Sequence, residues 1–213
     1  MRSARQFFLG VMLFLSTVTM AQHWRMAYGS GSLMQYALPA SKFAGLFLAP
    51  VHFKGSVGIT CQWNKNETHQ VLQNVSIGFG YHRFIQCIIP ISTEIGYRYQ
   101  STKKIFFDVF LGGGYLHSIP LNSRYILNQG VYEKTNKGGK PQGMVNARIG
   151  LGYAFKVNTT IEISYENLLQ TPFIKSYVPI LPYNIFNISY SVPLAWVKHS
   201  FSRAKTTTIT PAF

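Results

Sequence analysis

Charge is scarce in this chain of 213 residues. Only 12% of residues are charged, and only six are acidic, where a soluble domain carries about 25%. That deficit argues against a surface bathed in water. Cysteine is scarce too: Cys61 and Cys87 are the only two. They exclude a disulfide framework and offer too few ligands for a metal site. The strand pattern below puts them at opposite ends of non-neighbouring strands, so no bond between them is expected. Beyond the first 21 residues there is no run of about 20 apolar residues, which excludes a conventional membrane helix. What is present is 47% hydrophobic and 15% aromatic residues, spread along the chain rather than massed. Aromatic-rich, charge-poor and without long apolar runs is the composition of a transmembrane β-barrel.

The beginning, "MRSARQFFLGVMLFLSTVTMAQ", has a basic head at Arg2 and Arg5 and a short apolar stretch from Phe7 to Leu15. Small residues Thr19 and Ala21 follow, which places cleavage before Gln22. This reads as a secretory signal peptide, outside the fold. Formal net charge is +14. The basic residues sit in turn-like stretches and near the end ("NKNE", "STKK", "TNKGGK", "WVKHSFSRAK"). With no basic helix and no nucleic-acid motif, that pattern suits anionic lipid and lipopolysaccharide headgroups and no nucleic acid.

From residue 43 onward, large apolar residues alternate with small or polar ones, the period-two signature of a strand with two unlike faces. "NVSIGFGYH" sets Val75, Ile77, Phe79 and Tyr81 against Asn74, Ser76, Gly78, Gly80 and His82. "VNARIGLGYAF" sets Val145, Ile149, Leu151, Tyr153 and Phe155 against Asn146, Arg148, Gly150 and Gly152. Similar segments begin near residues 56, 87, 105, 161 and 186, with a weaker one at "FAGLFLAPVHF", 43–53. Eight strands put short polar turns ("NKNETH", "QSTKK", "KVNT") at one end. The connections "KG", "RFIQ", 120–141 and 172–182 fall at the other. Short inner turns and long outer loops are the pattern of outer-membrane barrels. The expected organisation is a signal peptide at 1–21, a periplasmic segment at 22–42, an all-β eight-stranded antiparallel barrel at 43–195 and a basic periplasmic tail at 196–213. The uniformly apolar face is expected outside, because a membrane sheet must close to satisfy its backbone.

The small, polar face then lines the lumen. It carries four of the six acids, Glu94, Asp108, Glu162 and Glu166, with Arg98 and Arg148. A barrel of eight strands is just wide enough for side chains to fill, and unpaired charges there would be costly. Glu94 and Arg98 lie four residues apart on one strand, roughly 13 Å, too far to pair. The expected pairs are Asp108 with Arg98, reached diagonally from a register opposite Gly96, and Glu166 with Arg148. Glu94, Glu162 and His82 complete the expected network.

No catalytic residue, cofactor or metal is assigned. "YLHSIPLNS" offers His117 beside Ser118, but neighbours on a strand point to opposite faces. A plugged structural or accessory barrel is therefore the leading reading. A small pore or ligand-binding barrel and a lipid A-modifying acyl hydrolase are the alternatives. The segment "PFIKSYVPILP" is apolar for a loop, and Phe173, Ile174, Tyr177 and Ile180 are its candidate contacts with a larger outer-membrane protein.

Three stretches carry a family resemblance: "GLGY" at Gly150–Tyr153, "LGGGYLHS" at Leu111–Ser118, and "NLLQTPFIKSYVPILPYNIFNISYSVPL" at Asn167–Leu194. With them the chain resembles the small, eight-stranded, OmpA/OmpX-like outer-membrane barrels of Bacteroidota. The resemblance implies an outer-membrane location, both termini on the periplasmic side, and insertion by the barrel assembly machinery. It implies no catalytic residue.

Overall fold

The computed structural model describes residues 23–36, 52–83, 86–102, 104–121, 124–128, 131–135, 139–156, 159–172 and 179–195. Among the described residues there are ten strands: β1 (His23–Tyr36), β2 (His52–Gln62), β3 (His69–His82), β4 (Gln86–Gln100), β5 (Ile105–Pro120), β6 (Arg124–Asn128), β7 (Val131–Thr135), β8 (Lys140–Lys156), β9 (Thr159–Thr171) and β10 (Leu181–Pro193). Eight of them close into an antiparallel barrel in the order β1-β10-β9-β8-β5-β4-β3-β2. Closure pairs the first strand with the last, Met26 opposite Pro193 and Met34 opposite Ile185. No sheet edge is left in the wall, the condition for a sheet in hydrocarbon.

The first strand differs from the expectation. It lies at His23–Tyr36, within the segment read as a periplasmic lead-in, while 43–51 falls outside the described residues. The cause is visible along β1. Met26, Ser32 and Met34 are buried, and the exposed alternates are Gly29, Gly31 and Leu33. Outward glycines carry no apolar signal, so the alternation was hidden. A second correction follows. "KG" is not a connection, because Lys54 and Gly55 lie inside β2, opposite Ser32 and Gly31. The long connection between β5 and β8 also contains structure. There β6 and β7 form their own antiparallel hairpin, Arg124 opposite Thr135.

The strand ends joined by three short connections, β2 to β3, β4 to β5 and β8 to β9, lie at one end of the barrel with the start of β1 and the end of β10. At the other end three of the four connections, β1 to β2, β5 to β8 and β9 to β10, are longer, the β6–β7 hairpin belongs to the second of them, and only β3 to β4 is short.

The outer face is apolar along the barrel strands. Val57, Ile77, Ile95, Val109, Leu111, Ile149, Leu151, Ile163 and Ile188 are all exposed. Exposed aromatics flank this band. Tyr97, Tyr99, Phe107, Tyr153 and Phe155 lie toward the short-turn end, and Phe53, Phe79, Tyr81 and Tyr115 toward the other. An apolar belt between two aromatic girdles matches a bilayer and not water. The buried residues run the other way, with far more polar and charged side chains inside than a soluble core holds.

Two inward glycines make that interior possible. A Cβ on Gly96 would run into the Phe110 ring, and one on Gly152 into the Phe106 ring. Each ring fills the space of a missing side chain. Each in turn lies beneath an arginine: the Arg98 guanidinium is 3.8 Å from the Phe106 centroid, and that of Arg148 is 4.4 Å from Phe110. Such cation–ring contacts strengthen when desolvated.

Candidate functional site

Each inward charge is brought to the lumen by strand parity, and the pairings follow from register. Arg98 on β4 stands directly opposite Asp108 on β5. The register differs by two residues from the expected one, since Gly96 faces Phe110. The result is a bidentate pair, Nε to Oδ1 at 2.8 Å and Nη2 to Oδ2 at 2.6 Å. Asp108 is completely buried.

Arg148 does not pair with Glu166, although the two are register partners across β8 and β9. Its Nη1 donates to Glu162 at 2.6 Å and its Nη2 to Glu94 at 2.9 Å. Register partners on one face have side chains pointing the same way, so a long arginine reaches across the lumen as easily as sideways. Glu166 instead takes Lys54 Nζ at 2.9 Å and Asn187 Nδ2 at 3.1 Å. Lys54 was missed because "KG" read as a turn. The available signal was parity: His52, Lys54, Ser56, Gly58, Thr60 and Gln62 share one face of β2.

His82 is the other correction. It sits at the far end of β3, away from the charges, with its ring centroid 3.5 Å from that of His52. The expected network thus divides. Glu94, Arg98, Asp108, Arg148, Glu162 and Glu166 gather with Lys54, and His82 does not join them.

Four carboxylates therefore meet three cations among the described lumen residues. Amides supply further donors. Asn146 Nδ2 bonds both Glu94 and Glu166, and Asn74 donates to Glu94 at 3.3 Å. Apart from Lys54 of β2, the charged groups come from β4, β5, β8 and β9. Beside them, from β1 round to β4, the lining is largely small: Ser30 bonds Ser56 at 2.6 Å, and Ser76 bonds Ser92 at 2.8 Å. A narrow barrel accepts long side chains from one half only if the other half is small. The space left at the centre, between Tyr28, Lys54, Arg148 and the serines, is about 30 Å³. That is room for one or two waters at most.

The lumen is not polar throughout, which corrects the expectation of a uniformly polar interior. Toward the long-loop end Met34, Ile88, Leu116, Met144, Leu168, Tyr183 and Ile185 form a buried apolar cluster. These residues sit at inward parity, where the period-two pattern had been read for its small and polar members only. Above the cluster Gln86 bonds Gln170 at 3.0 Å and the Tyr183 hydroxyl at 2.7 Å. From the long-loop end inward, the lumen is an amide layer, an apolar layer and an ion-paired layer. Toward the short-turn end it opens into a cavity of about 740 Å³.

His117 and Ser118 do not form a pair. The Tyr115 hydroxyl lies 2.9 Å from His117 Nδ1, while Ser118 points inward and donates to Gln86 Oε1. Of the candidate partner loop, Phe173, Ile174 and Tyr177 lie outside the described residues. Ile180 is exposed. Among the described residues no group of three or more His, Cys, Asp or Glu side chains is placed to hold a metal ion.

No protein-family model matches the sequence, and no curated protein matches it significantly. Solved structures do resemble it. Neisserial surface protein A aligns over 80% of this chain and 97% of its own, at 8% identity and a TM-score of 0.49. Ail, the attachment invasion locus protein of Yersinia pestis, aligns over 81% and 99%, at 12% identity and 0.43. The outer-membrane enzyme PagL aligns over 78% and 99%, at 12% identity and 0.44. Identities this low carry none of those proteins' activities to this chain.

Proposed function

We propose that the protein is a bacterial outer-membrane barrel with a blocked lumen, serving as a structural or accessory component of the envelope. It is exported by the segment at 1–21, which is then removed, and it sits with its short turns and both termini on the periplasmic side. One observation carries the reading. The lumen is stopped twice in series, by a charge network filling its waist and by an apolar cluster beyond it. A pore needs a continuous wet path; among the described residues the waist keeps a space of about 30 Å³, and the layer beyond it is buried and apolar.

Reconstitution into planar bilayers tests this. The expected result is no steady current over hours at 100 mV (a chosen test voltage). A stable open conductance would overturn the blocked reading and favour the small pore. A change in lipid A acylation, seen by mass spectrometry in cells producing the protein, would favour the acyl hydrolase instead.

An accessory role implies a partner, and a larger outer-membrane protein fits a barrel without a path of its own. The apolar segment around Ile180 is the proposed contact. Deleting 174–179 is expected to dissolve any larger complex on native gels while leaving the barrel folded. Complexes of unchanged size would remove this contact.

A further inference from the structure

The lumen's open end has features that a plug does not require. The cavity there is about 740 Å³ and is walled by inward residues of β1, β2, β3, β4, β5, β8 and β9. This lies within the range of small-molecule sites, about 300–1,000 Å³. Its floor is Arg98. The side chain is more than nine-tenths buried; it holds Asp108 through Nε and Nη2, and Nη2 also lies 3.9 Å from Glu162 Oε2. Arg98 lines the cavity, and no described residue accepts a hydrogen bond from its Nη1. Thr160, on the same lining, is buried. A guanidinium donor without a protein acceptor, on the lining of an open cavity, is available to a bound one.

The charge around the cavity indicates which acceptor. Lys104 and Lys156 stand in the lining near the mouth, and Glu67 is the one acid among the described lining residues. Asp108, which balances Arg98, is wholly buried beneath it and does not line the cavity. The cavity therefore presents an excess of positive charge, with the guanidinium at the bottom and ammonium groups above. Between them the walls are neutral and rich in hydrogen-bonding groups, notably Gln70, Gln100 and Thr102. Phe106 supplies an apolar patch beside Arg98.

We propose that this vestibule binds a small hydroxylated organic anion, of the sugar-phosphate class, with its acidic group on Arg98 and its hydroxyls against the glutamine and threonine walls. A planar guanidinium with a free edge suits a phosphate or carboxylate oxygen. The lysines at the mouth attract the anion and hold it loosely. The amides and hydroxyls read the uncharged body, which a bare anion lacks. The site stands on the blocked lumen as its floor, but a leaking barrel would show itself as current and not as lost binding.

Calorimetry on the full chain, folded in detergent micelles at low salt, tests this with three probes: glucose 6-phosphate, glucose and inorganic phosphate. Glucose 6-phosphate is expected to bind saturably at one site, about tenfold or more tighter than either of the others. The variant Lys104→Gln with Lys156→Gln touches only the mouth. It is expected to weaken binding about fivefold, chiefly by charge. Arg98→Gln combined with Asp108→Asn removes the pair without leaving a lone buried charge. It is expected to abolish binding while the folded barrel keeps its altered gel mobility. Equal affinity for glucose and glucose 6-phosphate would overturn the proposal. So would inorganic phosphate binding as tightly as the ester, undiminished affinity in the lysine double variant, or no saturable binding of glucose 6-phosphate up to about 20 mM, beyond the weak end of useful affinities. If the Arg98 variant fails to fold, the lysine variant and the three-probe comparison still decide.

Discussion

Replacing Arg148 by alanine is expected to destabilise the barrel by about 3–5 kcal/mol, the cost of breaking a buried ion pair from one side. The reason lies in what remains. Arg148 holds two carboxylates, Glu162 at 2.6 Å and Glu94 at 2.9 Å, all three nearly shut off from solvent. Without it both acids keep their desolvation cost and lose their compensation. The Phe110 ring, 4.4 Å from the guanidinium, loses its contact too. Urea unfolding of the refolded protein in lipid vesicles, followed by gel mobility and fluorescence, would show the midpoint fall. The triple variant Arg148→Met, Glu94→Gln, Glu162→Gln keeps the volume and removes every charge of the group. It is expected to recover most of the loss, because buried ion pairs often contribute little over well-packed neutral groups. An Arg148→Ala midpoint equal to that of the wild-type protein would show that water reaches the waist. A blocked lumen would then be untenable.

The second large effect is on the outside. Leu111 is two-thirds exposed and sits mid-strand, opposite Ile95 and Ala147. In a soluble barrel, arginine there would be neutral or helpful to solubility. In a bilayer it should cost about 2–4 kcal/mol near the midplane. Unfolding of Leu111→Arg in vesicles is expected to show a loss of that size. The neighbouring inward position, Gly112, makes a separate contrast. A Cβ there would lie 2.5 Å from the Thr93 carbonyl oxygen and 2.7 Å from Glu94 Cγ, so Gly112→Ala is disfavoured for space and not for charge. If Leu111→Arg left stability in vesicles unchanged, the outer face would not be the lipid face.

The two effects concern opposite faces of the same strands, and the sequence revealed those faces unequally. Parity along β4, β5, β8 and β9 was legible because large apolar residues alternate with glycine, serine or charge. β1 was not legible, since its outer face is partly glycine. That single omission moved the start of the barrel and turned Lys54 from a lumen cation into a turn residue. With Lys54 gone, Glu166 had no candidate partner but Arg148. The wrong pair therefore followed from the missing strand, not from a wrong view of the lumen. The apolar cluster went unnoticed for a related reason. Leu116, Leu168 and Ile185 lie at inward parity, but an apolar residue looks the same on either face until the strand is placed against its neighbours.

Composition and alternation by themselves determined that this chain is a closed antiparallel barrel with an apolar exterior. A charge-poor chain with strands of two unlike faces has few other ways to satisfy its backbone and bury one face. They also determined which polar and charged residues of β3, β4, β5, β8 and β9 point inward, because the side-chain period of a strand is two. Only the tertiary structure decided who meets whom. In a closed barrel the nearest partner of a long side chain is as often across the lumen as beside it on the next strand. That distance depends on strand stagger and closure, which no local pattern records. The same closure gathers residues of seven strands around the cavity at the short-turn end, a site that has no signature in any one of them.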